Sequence, residues 1–161
     1  MIREVVLFVE EKLQGMGFAY VGVDCGQADT AQPAIKYPAA LIDIRGIDVD
    51  SALGGRSLKQ SLRLSVRVIE LVLGNISGKA PEVQRENWFD FAEKLETVMA
   101  ELHYRARLIP MAYEGMEIRQ REDGLREGVI NFIANMGLVE VNDSAEELVA
   151  VAVKKGEKGE E

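Results

Sequence analysis

The segment Leu62-Arg63-Leu64-Ser65-Val66-Arg67-Val68 alternates strictly between apolar and polar residues. In a β-strand such alternation puts the apolar side chains on one face and the polar side chains on the other. The segment therefore predicts a half-buried strand that turns one face to a core. Arg63 and Arg67 are predicted to project together from the opposite face.

Two further segments have helical periodicity. Apolar residues recur at helical spacing from Ile2 to Met16, and the glycines at 15 and 17 are typical of a helix end. A second helix is predicted to begin at Asn87, with Asp90 completing a capping box. Its apolar stripe, which we expect to lie on the sheet, consists of Trp88, Phe91, Ala92, Leu95, Val98, Met99 and Leu102.

The remaining strands and loops complete the predicted fold. Further strands are predicted at 18–23, 39–44, 108–119 and 128–136, and Asp123-Gly124 favours a hairpin turn between the last two. Residues 24–36 are predicted to be a loop, and the longer segment from Gly46 to Gln60 is predicted to be a mobile contact loop. The predicted class is α+β: a mostly antiparallel sheet of four to six strands with two long helices packed on one face.

Size and charge restrict the kind of protein. The 161 residues predict one domain, 1–153, followed by a charged, disordered tail, 154–161. A net charge of -8 argues against coating nucleic acid, although DNA could slide past such a wall without binding. The single cysteine excludes an internal disulfide and a zinc site built on several cysteines, and it indicates a cytoplasmic setting.

The residues that could carry catalysis are few. His103 is the only histidine, and its predicted place near a helix end favours a structural role. Cys25 follows Asp24, a neighbour that tends to raise a thiol pKa, so it is predicted to be inert. The sequence Gly54-Gly55-Arg56-Ser57 lacks the spacing of a phosphate-binding loop. We therefore predict a protein that is not an enzyme and that binds no cofactor or metal.

Three alternatives stay open at this point. Carboxylates at Asp43, Asp48 and Asp50 suit a solvated acidic loop, although such a loop could hold magnesium or calcium. Asp43, Asp48 and Glu114 could also meet in the fold to bind the metal of a metal-dependent enzyme. Phe89 lies off the helical stripe, which makes it a candidate partner contact. The Arg63 and Arg67 face could be solvated or could contact another subunit.

The chain also resembles a known family. The resemblance lies in the N-terminal helix, Tyr37-Pro38-Ala39-Ala40-Leu41-Ile42-Asp43-Ile44, a glycine-bearing loop, Gln60-Ser61-Leu62-Arg63-Leu64-Ser65-Val66-Arg67-Val68 and one amphipathic helix. In this order they resemble the tail-terminator and tail-completion proteins of long-tailed bacteriophages and prophages, over about residues 1–140. The stretch from Val139 to Lys155 has no counterpart in that pattern.

The resemblance implies a structural function. Such a protein forms a ring, for which six subunits is one option, on the head-proximal end of the tail tube. It ends tube polymerisation and offers a docking surface to the head connector, while DNA passes through the lumen. The expected location is the cytoplasm during assembly and then the virion tail.

The resemblance also implies where the subunits meet. The loop from Gly46 to Gln60 would supply the charged contact positions, and opposite charges on the loop and the arginine face could set the orientation of neighbours. The expected contacts to neighbouring subunits or to the tube are Asp48, Asp50, Arg56, Lys59, Arg63 and Arg67. A head–tail adaptor, or another non-catalytic binding module, is the alternative.

Overall fold

The order of elements follows the sequence pattern from helix to strands to helix to strands. The computed structural model describes residues 2–30, 34–50, 57–72, 78–104, 111–121 and 123–140. In chain order the elements are α1 (Ile2–Gln14), β1 (Tyr20–Val23), β2 (Ala39–Asp50), β3 (Ser57–Leu71), α2 (Pro81–Tyr104), β4 (Met111–Gln120) and β5 (Leu125–Glu140). The predicted tail, 154–161, lies outside the described residues, as does the rest of the chain after 140.

The five strands form one mixed sheet in the order β1-β2-β3-β5-β4. β1 runs parallel to β2, and the other three pairings are antiparallel. The predicted α+β class with a mostly antiparallel sheet is therefore confirmed. Of the two helices predicted to be long, α1 has only 13 residues, whereas α2 has 24.

Both helices pack on one face of the sheet, as predicted. The core between them takes its apolar residues from both helices and four strands, and Leu62, Leu64, Val66 and Val68 of β3 are buried completely or nearly so. The alternation of β3 is thus confirmed. We call the other side of the sheet the open face; there the loop after β1 covers a smaller apolar cluster of Ala28, Ile35, Ala39, Leu41, Ile69 and Leu125.

The second helix begins earlier than the sequence pattern predicts. It starts at Pro81, a residue that is favoured in the first turn because it has no amide proton to satisfy there. Asn87, predicted to cap the helix, therefore lies inside it. Arg126 of β5 reaches this turn, donating a hydrogen bond to the Asn87 carbonyl at 3.2 Å and lying 5.1 Å from the centroid of the Phe91 ring.

The prediction that Trp88 belongs to the core is wrong. Its side chain is 46% exposed, and complete burial of the stripe begins only at Phe91. The guanidinium of Arg126 lies over the ring of Phe91 in this part of the helix. Phe89 is exposed, as its position off the stripe predicts, and its ring contacts Trp88 edge to face at 6.0 Å between centroids.

The segment from Gly46 to Gln60 is mostly strand, so the prediction of a long loop is wrong. β2 continues to Asp50 and β3 begins at Ser57, with backbone pairing from Asp50 opposite Lys59. We call the paired residues 43–50 and 57–65 the ribbon. Its strands continue the alternation of apolar and polar residues, which the glycines and charged residues make hard to recognise in the sequence.

Candidate functional site

Arg67 lies at the centre of a charged network on the open face. In β3 it stands between Leu41 of β2 and Val129 of β5. Its guanidinium contacts three carboxylates, from the loop after β1 and from β5. We call the following six residues the Arg67 network: Asp24, Asp29, Arg67, Arg121, Asp123 and Glu127.

The contacts of Arg67 use its full set of donors. Nε donates to Oε1 of Glu127 at 2.9 Å and Nη2 donates to Oε2 at 3.2 Å, a bidentate pair. Nη1 and Nη2 donate to the two oxygens of Asp29 at 3.1 and 3.2 Å. Nη1 also donates to Asp24. One side chain thus ties the loop after β1 to the middle of the sheet.

Arg121 extends the network from the β4–β5 turn. It donates to Oδ1 of Asp29 at 2.7 Å, to Oδ2 of Asp123 at 2.8 Å and to the carbonyl of Ala28 at 3.2 Å. The turn that positions it was predicted from Asp123-Gly124, and Gly124 has the positive φ of 78° that favours glycine there. Two distant segments of the chain therefore meet at Asp29.

The centre of the network is largely shielded from water. The side chains of Arg67, Asp24 and Glu127 are 14%, 9% and 6% exposed. Burial disfavours the charged guanidinium of Arg67, but hydrogen bonds to Glu127, Asp29 and Asp24 outweigh it, so the pKa of Arg67 is raised. Arg67 therefore stays charged at every pH at which the protein is handled.

The pKa values of Asp29 and Asp123, the carboxylates at the edge of the network, are lowered, whereas the pKa of Arg67 is raised. The hydrogen bond from Arg67 holds the pKa of Asp29 below its ordinary value, against a smaller opposing effect of burial. The hydrogen bond from Arg121 likewise lowers the pKa of Asp123. A lowered pKa in the folded state means that the ionised form contributes stability above the unfolded-state pKa, and that this contribution is lost on acidification.

The Asp29→Asn variant is expected to lose less stability on acidification than the wild type. Asp29 contributes fully above an unfolded-state pKa of about 3.9, and its contribution disappears as the pH falls through the lower folded-state pKa. Urea unfolding followed by circular dichroism at a series of pH values between about 5 and 2 measures the difference. Glu96→Gln, at an exposed carboxylate of α2, is the matched control. Parallel pH profiles for wild type and Asp29→Asn would contradict this role.

Beside the network the open face forms a shallow cleft of about 630 Å³. Side chains of both signs line it, including Asp43, Arg45, Arg67 and Arg119. Such a surface suits polar contact with a protein partner, because mixed charges set orientation and specificity. Among the described residues, no group of three or more His, Cys, Asp or Glu side chains could hold a metal ion.

The residues predicted to form a metal site do not meet. Asp43 and Asp48 lie on β2, whereas Glu114 lies on β4. Three strand spacings, about 14 Å, separate those two strands in the sheet. The open alternative of a metal centre built from these three carboxylates is therefore wrong.

The residues predicted to contact other subunits lie in different surroundings. Asp48 and Arg63 face each other across the ribbon, where Nε of Arg63 donates to Oδ2 at 2.5 Å, and both are about half exposed. Asp50 and Lys59 are backbone partners at the end of the ribbon, and Arg56 lies outside the described residues. Their predicted roles in subunit contact remain predictions.

Arg67 differs from Arg63 although both lie on the predicted face. Both arginines lie on the open face, as predicted, but the loop after β1 and β5 surround Arg67 with carboxylates. Arg63 is 55% exposed, and within the described ranges its ion pair is with Asp48 across the ribbon. Of the two, Arg63 is the more accessible side chain.

The remaining candidates from the sequence are His103, Cys25 and the glycine pair at 54 and 55. Nδ1 of His103 donates to the Met111 carbonyl at 3.0 Å, which links the end of α2 to β4 and fits a structural role. Cys25 is exposed. Strand β3 follows the glycine pair at 54 and 55, so the helix that a phosphate-binding loop requires is not there.

Comparisons with known proteins assign no family. No family model matches the chain, and no curated protein matches it. None of the helices in the described ranges has an apolar stretch long enough to cross a membrane. The geometry of the chain and the resemblance in sequence pattern are therefore the grounds on which a function can be proposed.

Proposed function

We propose that this chain is a structural protein of a phage or prophage tail that forms a ring on the head-proximal end of the tail tube. The ring ends polymerisation of the tube and presents a docking surface for the head connector. Its action is assembly rather than catalysis, and DNA passes through its lumen without specific binding. The partners are further copies of the chain, the tube protein and the connector.

The observation that carries the proposal is the exposed ribbon. On its helix side Ile47 and Val49 are 45% and 55% exposed, because the helices do not cover this part of the sheet. On its open side the Asp48–Arg63 pair is about half exposed. A ribbon with one apolar and one charged side offers both packing area and orientation to a neighbouring subunit.

The ribbon also fits the resemblance in sequence pattern. The two motifs that carry the resemblance form adjacent antiparallel strands, with Ala40 opposite Val68 and Ile44 opposite Leu64. The segment between them would correspond to the family's strand-connecting loop. The exposure of its described residues in the ribbon supports a role in subunit contact.

A head–tail adaptor is the second candidate function. It is favoured by Trp88 and Phe89, two exposed aromatic residues that pack edge to face on α2 rather than on the ribbon. Aromatic side chains are common anchors in protein interfaces. A second contact surface is what an adaptor between two partners needs.

Tube capping tests the proposed function. The tail-tube protein from the same genome is polymerised alone and with increasing amounts of this chain, and tube lengths are measured by negative-stain electron microscopy. We expect shorter tubes that carry a ring at one end. Unchanged tube lengths and bare ends with an excess of the chain would contradict the proposal, and binding to the connector alone would favour the adaptor.

Charge reversal at Arg63 is expected to weaken ring formation while the monomer stays folded. The side chain is exposed, and its loss removes a charge-assisted contact available to a neighbour. Arg85→Glu, at an exposed arginine of α2, is the control with the same change of charge. Equal capping by Arg63→Glu and Arg85→Glu, with unaltered circular dichroism in both, would remove Arg63 from the interface.

A further inference from the structure

We propose that the outer edge of β2 pairs with the outer edge of β4 in a second copy of this chain, so that the sheets of neighbouring subunits continue one another. The inference rests on the proposed ring for its biological setting. The contact itself joins β2 of one copy to β4 of another copy, and it can be tested without the tail-tube protein.

The first edge belongs to the ribbon. β1 pairs with β2 only from Ala39 to Ile42, and the amide of Asp24 adds one more hydrogen bond, to the Ile42 carbonyl at 2.8 Å. Beyond Ile42, within the described ranges, no strand pairs with the outer side of β2. Residues 43–50 thus leave a row of backbone donors and acceptors that another strand can use.

The second edge is β4, the last strand in the order β1-β2-β3-β5-β4. Its ten residues pair with β5 on one side, and the strand order places no described strand on the other. The chain therefore carries two different edges of similar length. A contact between unlike surfaces is heterologous, and repeating it around an axis closes a ring.

The strand directions are compatible with continuation of the sheet. β2 is antiparallel to β3, β3 to β5 and β5 to β4, so β2 and β4 run in opposite directions. A neighbour placed beside β2 with its helices on the same side of the sheet therefore presents β4 antiparallel to β2. All helices of the ring then lie on one side of the continuous sheet.

The side chains of the two edges are also compatible. A bulge between Ile44 and Gly46 shifts the alternation, so that Ile44, Ile47 and Val49 all face the helix side, where they are 40%, 45% and 55% exposed. On the same side of β4, Tyr113 and Ile118 are each 39% exposed. Pairing the edges brings these two apolar rows together and removes both from water.

Long exposed edges with aliphatic side chains are unusual in monomeric proteins, which protect such edges because they template association. Charged side chains of β2, including Asp43 and Asp48, lie on the open face and leave the helix side apolar. The complementary apolar row on β4 of the same chain favours a second copy as the occupant. The chain's own segment after residue 140 and an unrelated strand are the other outcomes of the test.

Mixing two variants tests the contact. Ile47→Asp damages the β2 edge and leaves β4 intact, whereas Ile118→Asp does the reverse. Sedimentation velocity is expected to show wild-type oligomers and, for each variant alone, self-association weakened by at least about tenfold. The mixture is expected to form dimers and nothing larger, because only one intact β2 edge and one intact β4 edge remain. Val83→Asp, at an equally exposed apolar residue of α2, is expected to assemble as the wild type does.

Several results would overturn the inference: a wild type that stays monomeric, single variants that assemble normally, or a mixture that forms no dimer. Slow exchange, in monomeric Ile118→Asp, of those amides in residues 43–49 that point away from β3 would also overturn it, since the outer edge would then be covered within the chain. If Ile47→Asp caps tubes normally, the edge contact fails and the proposed function stands. If the mixture dimerises but the wild type does not cap tubes, the function fails and the contact stands.

Discussion

Arg67→Met is expected to lower the free energy of unfolding by about 3–5 kcal/mol, because it removes one partner from a largely buried set of ion pairs. The side chains of Glu127 and Asp24, which are 6% and 9% exposed in the wild type, would lose the guanidinium that binds both, and Arg121, 3.6 Å from Glu127, would be left as a weaker partner. Methionine keeps much of the apolar length of the arginine side chain. The loss of stability therefore measures mainly the contribution of the charged guanidinium. Urea unfolding followed by circular dichroism measures it.

Arg63→Met is the matched control, at the same face of the same strand. Arg63 is 55% exposed and has a half-exposed partner, Asp48, so its loss is expected to cost less than about 1 kcal/mol. Arg67→Lys is expected to recover only part of the stability, because a lysine cannot form the bidentate pair with Glu127. Equal effects of the two methionine substitutions would show that the network does not stabilise the fold.

Gly128→Ala is expected to lower the free energy of unfolding by about 1–3 kcal/mol through overpacking. A Cβ atom at Gly128 would lie 2.5 Å from Cδ2 and 3.1 Å from Cγ of Leu95, so α2 packs directly on the backbone of β5 there. Gly115→Ala on β4 is the control, because its Cβ would meet nothing within 4 Å. Urea unfolding of both variants checks the difference, and equal stabilities would contradict the close packing.

The double variant Gly128→Ala with Leu95→Ala tests the cause of that loss. Leu95→Ala alone removes a completely buried side chain and is expected to cost about 2–5 kcal/mol. In that background the methyl group added at position 128 has room, so the further cost of Gly128→Ala is expected to disappear. Additive effects in this cycle would assign the cost to the strand itself rather than to Leu95.

The sheet could be predicted where local pattern decides the structure. The alternation from Leu62 to Val68 gave the strand, its buried face and the class of the fold, because burial acts on every second residue. The Asp123-Gly124 turn gave the last hairpin. The ribbon could not be predicted, because the bulge near Gly46 interrupts the alternation of apolar and polar residues. In addition, the exposed edge of β2 carries apolar residues where polar ones were expected.

The Arg67 network could not be predicted from local pattern. Arg63 and Arg67 have the same spacing and the same type of neighbours in the sequence, yet only Arg67 is enclosed. The carboxylates that enclose it come from a loop 38 to 43 residues before it and from a strand 60 residues after it. Only the strand order, with β5 beside β3, brings these segments together.

The start of α2 is marked in the sequence by Pro81 rather than by Asn87. Pro81 is a good first-turn residue, whereas Asn87 with Asp90 only imitates a cap. Trp88 has the spacing of a core residue, but tertiary packing places Arg126 beside that turn instead. Helical spacing alone does not tell how far a sheet extends beneath a helix.

If the chain caps the tail tube as proposed, the protein lies at the head–tail junction of an intact phage particle. The gene is tagged in its genome, particles are released and purified, and gold-labelled antibody to the tag is viewed by electron microscopy. Label is expected at the head–tail junction of intact particles and at one end only of free tails. Label along the whole tube, or particles that form normally without the protein, would contradict the proposed ring.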